Sequence, residues 1–144
     1  LKTIILYCTA PFPLAPLAAG VLTGKLPAVF DNNKFRDFAC YNNFSLHLQG
    51  RPVCLGNFRD EYRVLSVSTG TPSINPYNII NSFLSMYGIG GNQYALVEIV
   101  CRERFWLLLG RLSMGIPALR VIGRLIIEWR MKKIFPEMVK TLCS

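Results

Sequence analysis

Tyr87-Gly88-Ile89-Gly90-Gly91-Asn92 separates two apolar patterns of helical spacing. Upstream, Asn75 and Pro76 form a helix start, a side-chain cap followed by proline at the first helical position. Ile79, Ile80, Phe83, Leu84 and Tyr87 then recur at that spacing, and Gly88 falls where a left-handed C-cap belongs. Downstream, Asn92 reads as the cap of a second helix carrying Ala95, Leu96, Ile99 and Val100. The glycines supply positive φ and let backbone amides approach another chain closely. Beside a helix N-terminus such a cluster suits a phosphate. The plainer alternative is a tight helix–helix connection without a ligand.

Moving outward, Arg63-Val64-Leu65-Ser66-Val67 alternates like a short strand, and Ser68 to Ser73 is a turn-rich approach to the first helix. Beyond the second helix, the apolar run Phe105 to Leu109 ends at Gly110. Ser113 and Pro117 introduce a third helix that reaches Trp129. Leu119, Ile122, Leu125, Ile126 and Trp129 form one face of it, while Arg120 and Arg124 lie a turn apart on another. Arg130, Lys132, Lys133 and Lys140 follow on a shorter fourth helix that Pro136 helps to start.

The chain of 144 residues carries 16 Lys+Arg against 8 Asp+Glu. From residue 62 onward the ratio is 10 to 4, and before it 6 to 4, so the surplus sits in the helical half. A polyanionic partner is the usual reason for such a surplus, either nucleic acid or an anionic membrane surface. The hydrophobic content of 51% is high for a free-standing basic domain and points to apolar surface covered by neighbours. The five cysteines are scattered without a C-x-x-C pair, which supports neither a zinc site nor a disulfide framework. His47 is the lone histidine, so a histidine-based metal cluster is excluded and a catalytic pair would rest on this residue alone. No cofactor motif is present.

Residues 3–24 hold no charge. They are long enough to span a bilayer and have the texture of a secretory signal, but Pro11, Pro13 and Pro16 would interrupt a helix through them. An extended arm lying on other macromolecules is the expectation. Residues 25–62 read as irregular, with short aromatic pieces around Phe35, Phe38, Tyr41, Phe44 and Phe58 interleaved with Lys34, Arg36, Arg51 and Arg59. The whole of 1–61 is therefore expected to be an irregular N-terminal extension. Phe35, Phe38, Tyr41 and Phe44 should then be buried against other chains.

From residue 62 the order of parts resembles the small-subunit ribosomal protein S-thirteen family. The matching residues are Arg63-Val64-Leu65, Pro72, Ile79 to Leu84, Tyr87-Gly88-Ile89-Gly90, Ala95, Ile99, Leu112-Ser113, Leu119-Arg120 and Arg130 to Leu142. The resemblance implies a mainly α fold: a helix-two-turns-helix domain followed by a helical hairpin, spanning 62–144. It implies a non-enzymatic constituent of the ribosome that binds small-subunit rRNA in the subunit head. Its partners would be the S-nineteen family neighbour and, through bridges, the large subunit. On this reading Gly88, Gly90, Gly91 and Asn92 meet RNA through backbone and amide groups. Arg63, Arg120, Arg124, Arg130, Lys132 and Lys133 meet it through charge. The family's basic tail toward tRNA has no counterpart before Ser144, so tRNA contact is not carried over. The N-terminal extension favours a mitochondrial ribosome. The competing expectation is an accessory subunit of a mitochondrial respiratory membrane complex. It rests on residues 3–24 and the apolar runs, and Arg111, Arg120 and Arg124 argue against a membrane span through them.

Overall fold

The computed structural model describes residues 2–38, 52–70, 76–100 and 104–143. The expectations placed on His47, Tyr41, Phe44, Arg51, Pro72 and Asn75 lie outside the described residues. The apolar run near the start of the chain is strand β1 (Lys2–Cys8). It is paired in parallel with β3 (Tyr62–Ser68) on one side and with β4 (Tyr94–Glu98) on the other. β2 (Val53–Phe58) runs antiparallel to β3, giving the sheet order β2-β3-β1-β4. A strand hydrogen-bonded on both sides and covered on both faces is continuously apolar, which is why Ile4 to Tyr7 lacks alternation. Arg59 and Asp60 both adopt positive φ in the turn between β2 and β3, where Glu61 N–H donates to the Phe58 carbonyl.

Side chains alternate across this sheet. Leu6, Cys8 and Val64 enter the main core, whereas Ile5, Tyr7 and Val67 form a smaller cluster on the opposite face. Helix α1 (Leu14–Leu22) covers the first face, with Leu14, Leu17 and Ala18 fully buried. Pro13 precedes this helix and Pro16 lies in its first turn, where no intrahelical N–H is required. The prolines thus start the helix instead of interrupting it. Asp31 caps α2 (Asn32–Asp37), its Oδ1 accepting from the Asn33 and Lys34 amides at 2.9 and 3.3 Å. The cap turns Phe35 into the core, where it is 2% exposed beside the rings of Phe12 and Phe30. The opposite sheet face carries α3 (Pro76–Met86), which contributes Ile80 and Leu84.

The mainly α, helix-two-turns-helix expectation is therefore overturned by a mixed sheet with helices on both faces. Residues 2–8 form one of its two inner strands, not part of an irregular extension, and Phe35 is buried by its own chain. The stretch expected to form a second helix after Asn92 is β4, because Leu96 and Val97 face opposite layers of the core.

Helix α4 (Arg104–Met114) continues through Gly110, and a 3-10 turn (Pro117–Leu119) leads directly into α5 (Arg120–Cys143). Pro136 lies inside α5 and does not begin a separate helix. Buried Met131, Ile134, Phe135 and Met138 run past it, and their burial outweighs the roughly 3 kcal/mol that an interior proline costs. Gly110 and Gly123 let the two helices touch through backbone. A Cβ on Gly123 would lie 2.6 Å from the Gly110 carbonyl oxygen and 2.7 Å from the Met114 nitrogen. Gly123→Ala should therefore destabilise the fold by about 1–3 kcal/mol, read from urea unfolding. Gly91→Ala, where a Cβ meets nothing within 4 Å, should leave the midpoint nearly unchanged.

Candidate functional site

In open α/β sheets, ligands gather beyond the carboxyl ends of parallel strands where successive connections leave in opposite directions. Here that place is the end of β1, between β3 and β4. Cys8 Sγ and Ser68 Oγ are 3.2 Å apart and buried there. Ile99 N–H donates to the Tyr7 carbonyl and Thr69 N–H to that of Cys8. The loop that follows, Thr9 to Pro13, lacks an amide proton at Pro11 and Pro13, and its Phe12 is fully buried. It offers neither the open space nor the run of donors that a phosphate loop needs. Two arginines of α4 bond it instead. Arg104 Nη1 donates to Thr9 Oγ1 at 3.2 Å and Nη2 to the Thr9 carbonyl at 2.9 Å. Arg111 Nη1 donates to the Pro11 carbonyl at 3.2 Å. These bonds fasten the helical hairpin to the sheet. Among the described residues no group of three or more His, Cys, Asp or Glu side chains could hold a metal ion.

The hairpin combines exposed apolar side chains with a surplus of basic ones. Leu107, Gly110 and Met114 of α4 and Gly123, Ile127 and Met131 of α5 face inward. Turned outward are Phe105 (69% exposed), Leu112 (58%), Val121 (68%), Leu125 (56%) and Trp129 (57%). Ile116 and Leu119 extend this apolar surface around the turn. Between residues 104 and 143 there are eight Lys or Arg against two Asp or Glu, and one of the two acids, Glu128, is buried. Arg130 is stacked over the rings of Trp106 and Trp129, 4.4 and 3.9 Å from their centroids. That contact links α4 to α5 and holds Trp129 at the surface.

Arg120, Arg124, Arg130, Lys132 and Lys133 thus lie together on α5, with Arg124 and Arg130 half-buried and the others exposed. Gly88, Gly90, Gly91 and Asn92 lie elsewhere, on the connection from α3 to β4, and Arg63 is on the α3 face by alternation with Leu65 and Val67. Gly88 (φ 70°) ends α3, with its N–H donating to the Ser85 carbonyl and the Ile89 N–H donating to that of Leu84. This is a Schellman cap, so those two amides are used within the turn. Asn92 precedes a strand and caps no helix. The residues that no local motif revealed are Arg104 and Arg111, whose loop partners lie about a hundred positions earlier in the chain.

Together these features define an α/β protein with a mixed four-stranded sheet and a basic, apolar-faced helical hairpin. Residues 3–143 match the model of a family described as "Protein of unknown function (DUF3189)", and the chain belongs to that family. No curated protein and no solved structure matches it. The family match begins within β1 and takes in the N-terminal part that the ribosomal resemblance left aside.

On the α3 face, burial raises the Tyr7 hydroxyl above its ordinary pKa of 10.0, with the Glu98 carboxylate and then Tyr77 adding to the effect. A group whose pKa is raised on folding contributes stability that is fully present below its unfolded pKa and lost as pH rises through the folded value. Stability should therefore begin to fall above about pH 10, and Tyr7→Phe should remove that component of the decline, measured by denaturant unfolding across pH 8 to 11.

Proposed function

We propose that the protein is a non-catalytic, peripheral membrane-binding module that seats its α4–α5 hairpin on an anionic bilayer. The observation that carries this reading is the joint presence, on one hairpin, of exposed Phe105, Leu112, Val121, Leu125 and Trp129 with a large excess of basic side chains. Apolar groups at the level of lipid headgroups leave water, at about 25 cal/mol per Å². Lys132, Lys133 and Arg120 meet anionic lipids at about 1 kcal/mol each. Trp129 is amphipathic and suits the interface. Among the described residues no helix is long and apolar enough to cross a membrane, so the hairpin would lie on the surface.

The second reading keeps the ribosomal expectation: Arg120, Arg124, Arg130, Lys132 and Lys133 share one helix and could neutralise rRNA phosphates. It accounts for the charge and leaves the aliphatic side chains without a role, since an RNA surface is polar and highly charged. Membrane contact accounts for both.

Flotation of the full chain with vesicles tests the proposal. Binding is expected to vesicles containing phosphatidylserine, with a blue shift in tryptophan fluorescence, and only weakly to neutral phosphatidylcholine. Leu112→Glu combined with Leu125→Glu, both at exposed positions, should abolish flotation while leaving the circular dichroism unchanged. Failure of the parent chain to float, together with salt-sensitive binding to a small-subunit rRNA head fragment, would replace this reading with the ribosomal one.

A further inference from the structure

Helix α3 carries two apolar stripes, and the sheet takes only one of them. Ile80 and Leu84 pack on the small cluster formed by Ile5, Tyr7 and Val67. Ile79, Phe83 and Met86 form a second stripe on the outside of the same helix, with Met86 83% exposed. Their spacing, four residues and then three, is that of the seam along which one helix packs against another. Tyr87 continues the stripe past the end of α3, exposed, with its ring centroid 4.7 Å from that of Phe83. Exposed Asn78, Ser82 and Ser85 border it, so its rim is polar and uncharged.

The charge distribution bears on what can cover this stripe. The chain has a formal net charge of +8, which opposes self-association through any basic surface. Residues 64–97 contain no Asp, Glu, Lys or Arg, so two α3 layers can meet without opposing like charges. Arg63 and Glu98, on the same face of the sheet below by alternation with Leu65 and Leu96, carry opposite signs. An anionic bilayer or a nucleic acid finds no cation on α3 to engage. The stripe is, however, complementary to itself. Across a two-fold axis, antiparallel α3 helices set Ile79 of one copy beside Met86 of the other, with the two Phe83 rings at the centre. Ile79, Phe83, Met86 and Tyr87 together expose on the order of 500–600 Å² per copy, most of the roughly 800 Å² that each partner gives to a standard interface.

We propose that α3 is the interface of a homodimer, its Ile79-Phe83-Met86 stripe packed antiparallel on that of a second copy. Asn78, Ser82 and Ser85 form the polar rim of this contact, and Phe83 is its central aromatic anchor. The interface does not use the exposed side chains of the hairpin, and it does not depend on the membrane reading.

Sedimentation velocity of the full chain without vesicles, across micromolar concentrations, tests the proposal. The parent should sediment as a species of twice the 16.3 kDa chain mass and dissociate on dilution. Phe83→Glu should weaken the dimer at least about thirtyfold, the scale of a central aromatic anchor, with the circular dichroism and urea midpoint of the parent. Leu112→Glu, on the hairpin, should leave the dimer intact. Ile79→Lys and Met86→Glu should each weaken it, and their combination in one chain should restore it in a salt-sensitive form, because antiparallel packing sets each lysine beside a glutamate of the other copy. A dimer that Phe83→Glu does not weaken, or that Leu112→Glu abolishes, would overturn the proposal. A parent chain that stays monomeric would overturn it too, with lipid the occupant of the stripe if Phe83→Glu also lowered flotation with vesicles.

Discussion

Burial of β1 on both of its faces is the constraint on which the other layers depend. Leu6 and Cys8 point to α1 and the hairpin helices, and Ile5 and Tyr7 point to α3. Each parallel neighbour satisfies one edge of its backbone, so the strand has no polar group that requires water. Transfer of apolar surface at roughly 25 cal/mol per Å² then acts twice along the same seven-residue segment. A charge introduced at Leu6 would disturb the main core, and one at Ile5 the smaller cluster.

The hairpin depends on that strand through the loop leaving it. Arg104 and Arg111 donate to the Thr9 and Pro11 carbonyls, so the base of α4 is held at the end of β1. The Gly110–Gly123 contact then brings α4 and α5 close together, and the stripe through Leu107, Met114, Ile127 and Met131, continued by Ile134, Phe135 and Met138, is buried. A bulkier crossing would have splayed the helices and drawn more of their apolar side chains inward. Close approach instead leaves Leu112, Val121 and Leu125 outside. The exposed surface is thus a consequence of how the helices meet, and it coincides with the densest basic segment of the chain.

Much of the strand content was hidden because buried parallel strands and short helical segments share an apolar texture. Arg63 to Val67 was legible as a strand, since Arg63 gave it an exposed position. Ile4 to Tyr7 offered no such contrast, and its prolines downstream suggested an extended arm. Ala95, Leu96, Ile99 and Val100 satisfy helical spacing over too few residues to exclude a strand, and sheet pairing with β1 decided the matter. The left-handed cap at Gly88 was visible because glycine there has a local cause, a φ of 70°. The five basic residues now found together on α5 were also visible, as a local cluster. The arginine clamps at 104 and 111 were not, because carbonyl partners carry no side-chain signature and sit far away in sequence.

Charge, unlike apolar exposure, is divided unevenly between the two sheet faces: Ile79, Phe83, Met86 and Tyr87 are exposed on the α3 side as the hairpin's apolar residues are on the other. Residues 64–97, which include α3 and its glycine turn, contain no Asp, Glu, Lys or Arg at all. The hairpin on the other face holds half of the chain's 16 basic residues. An anionic surface would therefore attract the molecule in one orientation, hairpin first, because the uncharged α3 layer gives the field little to act on.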